Sequence, residues 1–113
     1  MRVQETMALK EVQYDVDEWV SQFAIGKDGY FSPPEIILQL VEEVGELSRE
    51  INNRYGPRTK KSPEDTADIR KELCDIMFAI ICMANVHNID LDKAWKEKMD
   101  KQYGRDKERF EKR

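Results

Sequence analysis

Between Leu73 and Val86 the sequence carries a single carboxylate, Asp75, and its apolar side chains point in every direction around a helix axis. A helix of that kind has to be enclosed on all sides. A chain of 113 residues has little with which to enclose it, and small domains often complete their burial by pairing with another copy. The segment therefore sets the architecture: a bundle in which this helix is central and lies partly against a second subunit.

The remaining punctuation supplies three more helices. Val12, Val16, Trp19, Val20 and Phe23 form an amphipathic stripe that predicts a helix over residues 8–25, stopped by Gly26 and Gly29. Ser32-Pro33-Pro34-Glu35 combines a cap, a first-turn proline and a capping-box glutamate. It opens a second helix whose core face is read from Ile37, Leu40, Val41, Val44, Leu47 and Ile51. Residues 52–61 hold Gly56, Pro57 and the cations Arg54, Arg58, Lys60 and Lys61, a polar connection long enough to be a mobile or functional loop. Ser62-Pro63-Glu64-Asp65 repeats the cap-then-proline signal and predicts the third helix from there to about His87. Asp90 caps a fourth, whose stripe of Leu91, Ala94, Trp95 and Met99 is narrow and set among basic residues. The fold class is all-α, a four-helix bundle completed by oligomerisation, expected as one domain over residues 1–113 with its core at about 8–105.

Composition excludes several roles. Nineteen Lys plus Arg against 23 Asp plus Glu give a net charge of −4, without the basic surplus of a duplex-DNA binder, so no nucleic-acid polymer is expected as a partner. No apolar run approaches the roughly 18 residues of a membrane span, and acids occupy the first 25 residues, so no membrane partner and a cytoplasmic location are expected. Cys74 and Cys82 read as two buried small hydrophobes. With His87 as the single histidine, a structural zinc site is hard to assemble. His87 reads as a helix-end residue, and Asn85 as a group for bonding across an interface.

Carboxylates carry the chemistry. On the second helix Glu43 and Glu46 lie about 60° apart, with Glu42 about 40° beyond Glu46. On the third, Glu72 and Asp75 repeat the i, i+3 spacing. Both pairs border an apolar face, and an ionised Asp75 within so apolar a helix demands a cationic partner. Four converging carboxylates would repel one another unless a divalent cation sat between them, and oxygen-only ligands favour Mg²⁺ or Mn²⁺. The absence of Glu-x-x-His argues against a di-iron bundle. Spacing alone leaves a second reading open: a solvated acidic face with pairs such as Glu46 to Arg49, and Asp75 bridged to Lys71.

Glu42-Glu43-Val44-Gly45-Glu46-Leu47, followed after a spacer by Glu72-Leu73-Cys74-Asp75, resembles the signature of the MazG-like nucleoside triphosphate pyrophosphohydrolases, Glu-Glu-x-x-Glu and then Glu-x-x-Asp. The likeness runs from about Trp19 to Arg105 and is especially close to small single-domain bacterial members of YpjD type over Phe31 to Gly56. It implies Mg²⁺-dependent hydrolysis of a nucleoside triphosphate, standard or modified, to the monophosphate and pyrophosphate, in a housecleaning role. Glu43, Glu46, Glu72 and Asp75 would hold the metal, and Glu42 would orient or deprotonate the attacking water. Lys98 matches the family's phosphate-binding lysine, with Lys101 and Arg105 on the same face; Gln102 stands where asparagine is frequent. Trp19, Tyr30 and Phe31 are the candidates for stacking on the base, although Trp19 also fits the apolar stripe of a core. A homodimer or homotetramer is expected. Two other functions fit the residues: a non-enzymatic helical dimerisation or regulatory module, and a hydrolase of another pyrophosphate-linked compound.

Overall fold

The computed structural model describes residues 8–57, 60–105 and 108–113. Arg58 of the basic connection lies outside them. The elements are α1 (Leu9–Val20), α2 (Pro33–Tyr55), α3 (Ala67–Val86) and α4 (Leu91–Gly104), with no strand among the described residues. The all-α expectation holds. No single helix among the described residues is long and apolar enough to cross a membrane.

Helix α1 has no side-chain cap of its own at Ala8. A distant residue supplies one: the Asp92 carboxylate on α4 accepts from the backbone N–H groups of Leu9 and Lys10 at 3.0 and 3.2 Å. The helix stops at Val20, well before the expected residue 25. The cause is the returning chain. Gly29, at φ +95°, lies so close to the end of α1 that a Cβ there would sit 1.9 Å from the Val20 carbonyl oxygen. Phe23 consequently leaves the helix and joins the loop.

Helix α2 begins as expected, with the Ser32 N–H and hydroxyl both donating to Glu35 Oε1. Its inward face differs from the expected one by one residue's rotation. Ile36 and Arg54 are buried, with Leu40, Glu43, Leu47 and Glu50 half-buried between them. Ile37, Val41, Val44 and Ile51, read from sequence as core, form an exposed outer stripe that continues to Tyr55. The apolar arc of this helix is too wide for one neighbour, and periodicity favours its most apolar row over the row that packs.

Helix α3 starts at Ala67, five residues after Ser62. Ser62 and its neighbours are held as turns: the Ser62 hydroxyl donates to Glu64, and the Arg54 guanidinium takes the Asp65 carbonyl. Arg54, 2% exposed, also donates to the Glu50 carbonyl and carboxylate at 2.8 and 2.9 Å. Lys61 bridges Glu50 and Asp68. Arg54 and Lys61 are thus structural clamps on the connection. Cys82 is buried, whereas Cys74 is exposed, against expectation, on a side of α3 that no helix among the described residues covers. Leu73, Met77 and Ile80 share that side.

Gln13 ties α1 to the α3–α4 turn. Its Nε2 donates to Asn85 Oδ1 and the Ile89 carbonyl at 2.8 and 2.7 Å, and its Oε1 accepts from the Leu91 N–H at 2.9 Å. Asn85 answers by donating to the Gln13 carbonyl and the Tyr30 hydroxyl, so it bonds within the chain rather than across an interface. The exposed His87 ring bonds the Met83 carbonyl through Nδ1, as befits a helix-end residue.

Candidate functional site

Helices α2 and α3 make the most extensive packing in the chain and run antiparallel. Arg54 faces Asp68, Glu43 meets Glu72 and Asp75, and Ile36 shares a cavity with Phe78 and Cys82. The inner row of α2 delivers Glu43 to the seam, and the i, i+3 pair of α3 delivers Glu72 and Asp75. One carboxylate oxygen from each of these three lies within 4.8 Å of the others.

Crowding has an electrostatic signature. A hydrogen bond to the Glu72 carboxyl, with burial and the negative charge of Asp75 behind it, pushes Glu43 up to about 7. Lys71 offsets part of the charge from outside, with Nζ 3.0 Å from Asp75 Oδ2 and 3.6 Å from Glu72 Oε1. Those partners hold its own ammonium above the ordinary range. The bridge between Lys71 and Asp75 anticipated from spacing is therefore formed, but it leaves a remainder: Glu72 is 8% exposed, and its Oε2 is buried with no hydrogen-bond partner. Apart from the proton shared with Glu43, nothing donates to that oxygen, and three such carboxylates together match the all-oxygen donor set of a hard divalent cation.

The other predicted residues stand outside this trio. Glu46 is paired with Arg49, one turn along α2, and stands outside the set of three. Glu42 is exposed and lines a shallow depression with Phe31, Glu35, Leu38 and Gln39. Lys98 and Lys101 are exposed on α4, which packs on α1, and Arg105 is exposed at its C-cap.

Trp19 and Phe31 line a cavity of about 330 Å³ with Phe23, Ile36, Gln39 and Phe78. Trp19 meets Phe23 and Phe78 edge-on, with ring centroids 5.0 and 5.8 Å apart, and is 45% exposed, so it forms a wall rather than a core. Tyr30 is buried behind that wall: its hydroxyl donates to Asp17 and accepts from Asn85, and burial raises its pKa. Burial likewise pushes the Cys82 thiol at the cavity up to about 11, so it is neutral. Sequence reasoning passed over Phe78 and Gln39. A signal for each was present: Phe78 lies three residues after Asp75 and Gln39 four before Glu43, one helical turn from a member of the acidic trio in both cases.

Known proteins resemble this chain in sequence and in fold. The profile of the MazG nucleotide pyrophosphohydrolase domain matches residues 31–110. The chain is 42% identical over 102 residues to the Bacillus subtilis protein YpjD, covering 90% of this chain and 89% of that one. The crystal structure of a Bacillus-conserved MazG protein, a nucleotide pyrophosphohydrolase, superposes with a TM-score of 0.71 at 42% identity, over 87% of this chain and 92% of the other. A crystal structure of B. subtilis YpjD gives 0.75 at 40% identity, over 87% and 97%. Human dCTP pyrophosphatase 1 is 30% identical over 92 residues, 76% of this chain. The chain spans about half, 54%, of that protein's length.

Fold, acidic trio and likeness together define an all-α hydrolase acting on nucleoside triphosphates. The chain belongs to the MazG nucleotide pyrophosphohydrolase family.

Proposed function

We propose that this chain cleaves a nucleoside triphosphate to the monophosphate and pyrophosphate, with Mg²⁺, or Mn²⁺ in its place, as cofactor. One observation supports this most directly: the aromatic cavity and the acidic trio occupy the same α2–α3 seam, one helical turn apart on both helices. A base between Trp19, Phe31 and Phe78 would put its phosphates toward Glu43, Glu72 and Asp75.

Glu43, Glu72 and Asp75 would hold the metal, with Glu46 joining them once released from Arg49. The bound ion supplies neutralisation of phosphate charge and acidification of water. The protein's own groups do the rest. Glu42, exposed at the edge of the site, receives the proton of the attacking water or orients it. Trp19 and Phe31 hold the base, and Tyr30, fixed by Asp17 and Asn85, braces the loop that carries Phe31. Lys98, Lys101 and Arg105 are assigned to the phosphates on the strength of the family lysine that Lys98 matches. The enzyme works as a homodimer or homotetramer in the cytoplasm, where two free cysteines are at home, in the removal of unwanted nucleotides. dCTP is a first substrate to try, since dCTP pyrophosphatase 1 is among the relatives.

The test is a panel of nucleoside triphosphates incubated with protein and Mg²⁺, reading pyrophosphate against orthophosphate. Pyrophosphate and monophosphate are expected, with activity lost in Asp75→Asn and on chelation. Mg²⁺ should also raise Tm in the parent protein and not in Asp75→Asn. Orthophosphate as the product, or no turnover of any nucleotide, would overturn the reading.

A further inference from the structure

The aromatic cavity has one side-chain amide among the described residues, and its hydrogen-bonding capacity is entirely unspent. Its walls are Trp19, Val20, Phe23, Ile36 and Phe78, which offer little beyond ring faces and methyl groups. The Tyr30 hydroxyl has its donor on Asp17 and accepts from Asn85, so it is committed to the scaffold. Trp19 brings an indole N–H, a donor only. Apart from the committed Tyr30, Gln39 alone among the described cavity side chains carries a strong acceptor and a strong donor together, and its amide bonds to no described residue. It also stands between two environments, lining the cavity on one side and the depression around Glu42 on the other. Glu43 lies one turn further along the same helix face.

We propose that Gln39 bonds the hydrogen-bonding edge of the base, and that its unanchored amide turns over to suit either an amino or a keto edge. This rests on the reading of the cavity as the base site. An amide held by neighbours would present its oxygen and nitrogen in fixed places and so select one edge. An amide that nothing holds presents whichever order the base requires: oxygen to the amino group of adenine or cytosine, nitrogen to the carbonyl of guanine or thymine. Gln39 thereby supplies affinity with little discrimination, and the enzyme accepts both edge types in each ring size.

Two substitutions at this exposed position separate affinity from discrimination. Gln39→Leu keeps the approximate volume and removes both polar groups. Gln39→Glu leaves acceptors only, which suit the paired N1–H and N2–H donors of guanine and oppose the N1 lone pair of adenine. The added charge also repels phosphate, but it does so equally for every nucleotide and cancels in a ratio.

The measurement is kcat/KM for dATP, dGTP, dCTP and dTTP with Mg²⁺. In the parent protein dGTP:dATP and dCTP:dTTP should each lie within about tenfold, as a two-way amide implies. Gln39→Leu should lower all four values by about ten- to hundredfold, the loss of one to two hydrogen bonds. Gln39→Glu should raise dGTP:dATP at least tenfold. Activity with that ratio unchanged in Gln39→Glu, or with all four values within twofold of the parent in Gln39→Leu, overturns this inference alone, as does a parent preference beyond a hundredfold within either pair. A parent protein inert on all four nucleotides overturns the reading beneath it as well.

Discussion

At the scale of single residues, Glu43 would link proton and metal in the proposed site. With no cation present it keeps its proton to about 7, against 4.5 for an ordinary glutamate, because the Glu72 carboxyl and Asp75 stand beside it. An unfolded chain releases that proton near 4.5, so between about 4.5 and 7 the folded state binds more protons than the unfolded one. Stability of the metal-free protein should therefore fall as pH rises through this window, and Glu43→Gln should flatten the fall in a series of melting curves. A cation held as proposed would have to displace the same proton. Apparent affinity for Mg²⁺ is expected to rise by up to about tenfold per pH unit below 7 and to level off above it. Calorimetric titration at pH 6 and pH 8 checks this, and equal affinities would remove Glu43 from the metal site. Lys71 competes from the other side, its ammonium already 3.0 Å from Asp75. Lys71→Met should tighten Mg²⁺ binding by relieving that competition while lowering metal-free stability, and weaker binding in this variant would contradict the competition.

At the scale of elements, the helices are held less by their own sequences than by a few long-range polar ties. Gln13→Leu would strand Asn85 Oδ1, the Ile89 carbonyl and the Leu91 N–H together, so a loss of about 2–4 kcal/mol is expected in urea unfolding. Arg54→Ala removes the buried guanidinium that joins Glu50 to the Asp65 carbonyl. Its expected cost is about 3 kcal/mol or more, and a change below 1 kcal/mol would show that Lys61 alone suffices as the clamp. These ties mark the boundary of what the sequence discloses. Ser32, Glu35 and Asp90 act on groups within a few residues of themselves, so the starts of α2 and α4 are legible. Ser62 resembles them, yet α3 starts only at Ala67, because Arg54 from another helix holds the intervening turn. Asp92 caps a helix some eighty positions earlier, which no local pattern encodes. The acidic trio was legible because i, i+3 spacing is itself local. For Gln39 the spacing from Glu43 was the one local signal, and its place in the cavity under the 21–31 loop is a long-range feature that no local pattern encodes.

At the scale of the molecule, the chain exposes more than one copy should. Its surface is 9123 Å², where about 6,500 Å² is usual for a compact monomer of this mass. Its radius of gyration is 17.4 Å, where about 13 Å is usual for this length. Two apolar stripes account for the character of that surface: Ile37, Val41, Val44, Ile51 and Tyr55 along α2, and Leu73, Met77 and Ile80 along α3. Each follows helical spacing, and each lies on a helix whose opposite side builds the acidic seam. A stripe of this length is costly to leave in water, and a two-fold pairing of identical faces covers both copies at once. A second copy of the chain is therefore the expected cover, and the same pairing would brace α2 and α3 behind Glu43, Glu72 and Asp75. Val41→Glu and Met77→Glu place charges in the stripes without touching the trio or the cavity. Light scattering should show a dimer or tetramer for the parent and smaller species for the double variant, with a lower Tm and impaired turnover. A parent protein that is monomeric at micromolar concentration, and active as such, would mean that these stripes serve something other than self-association.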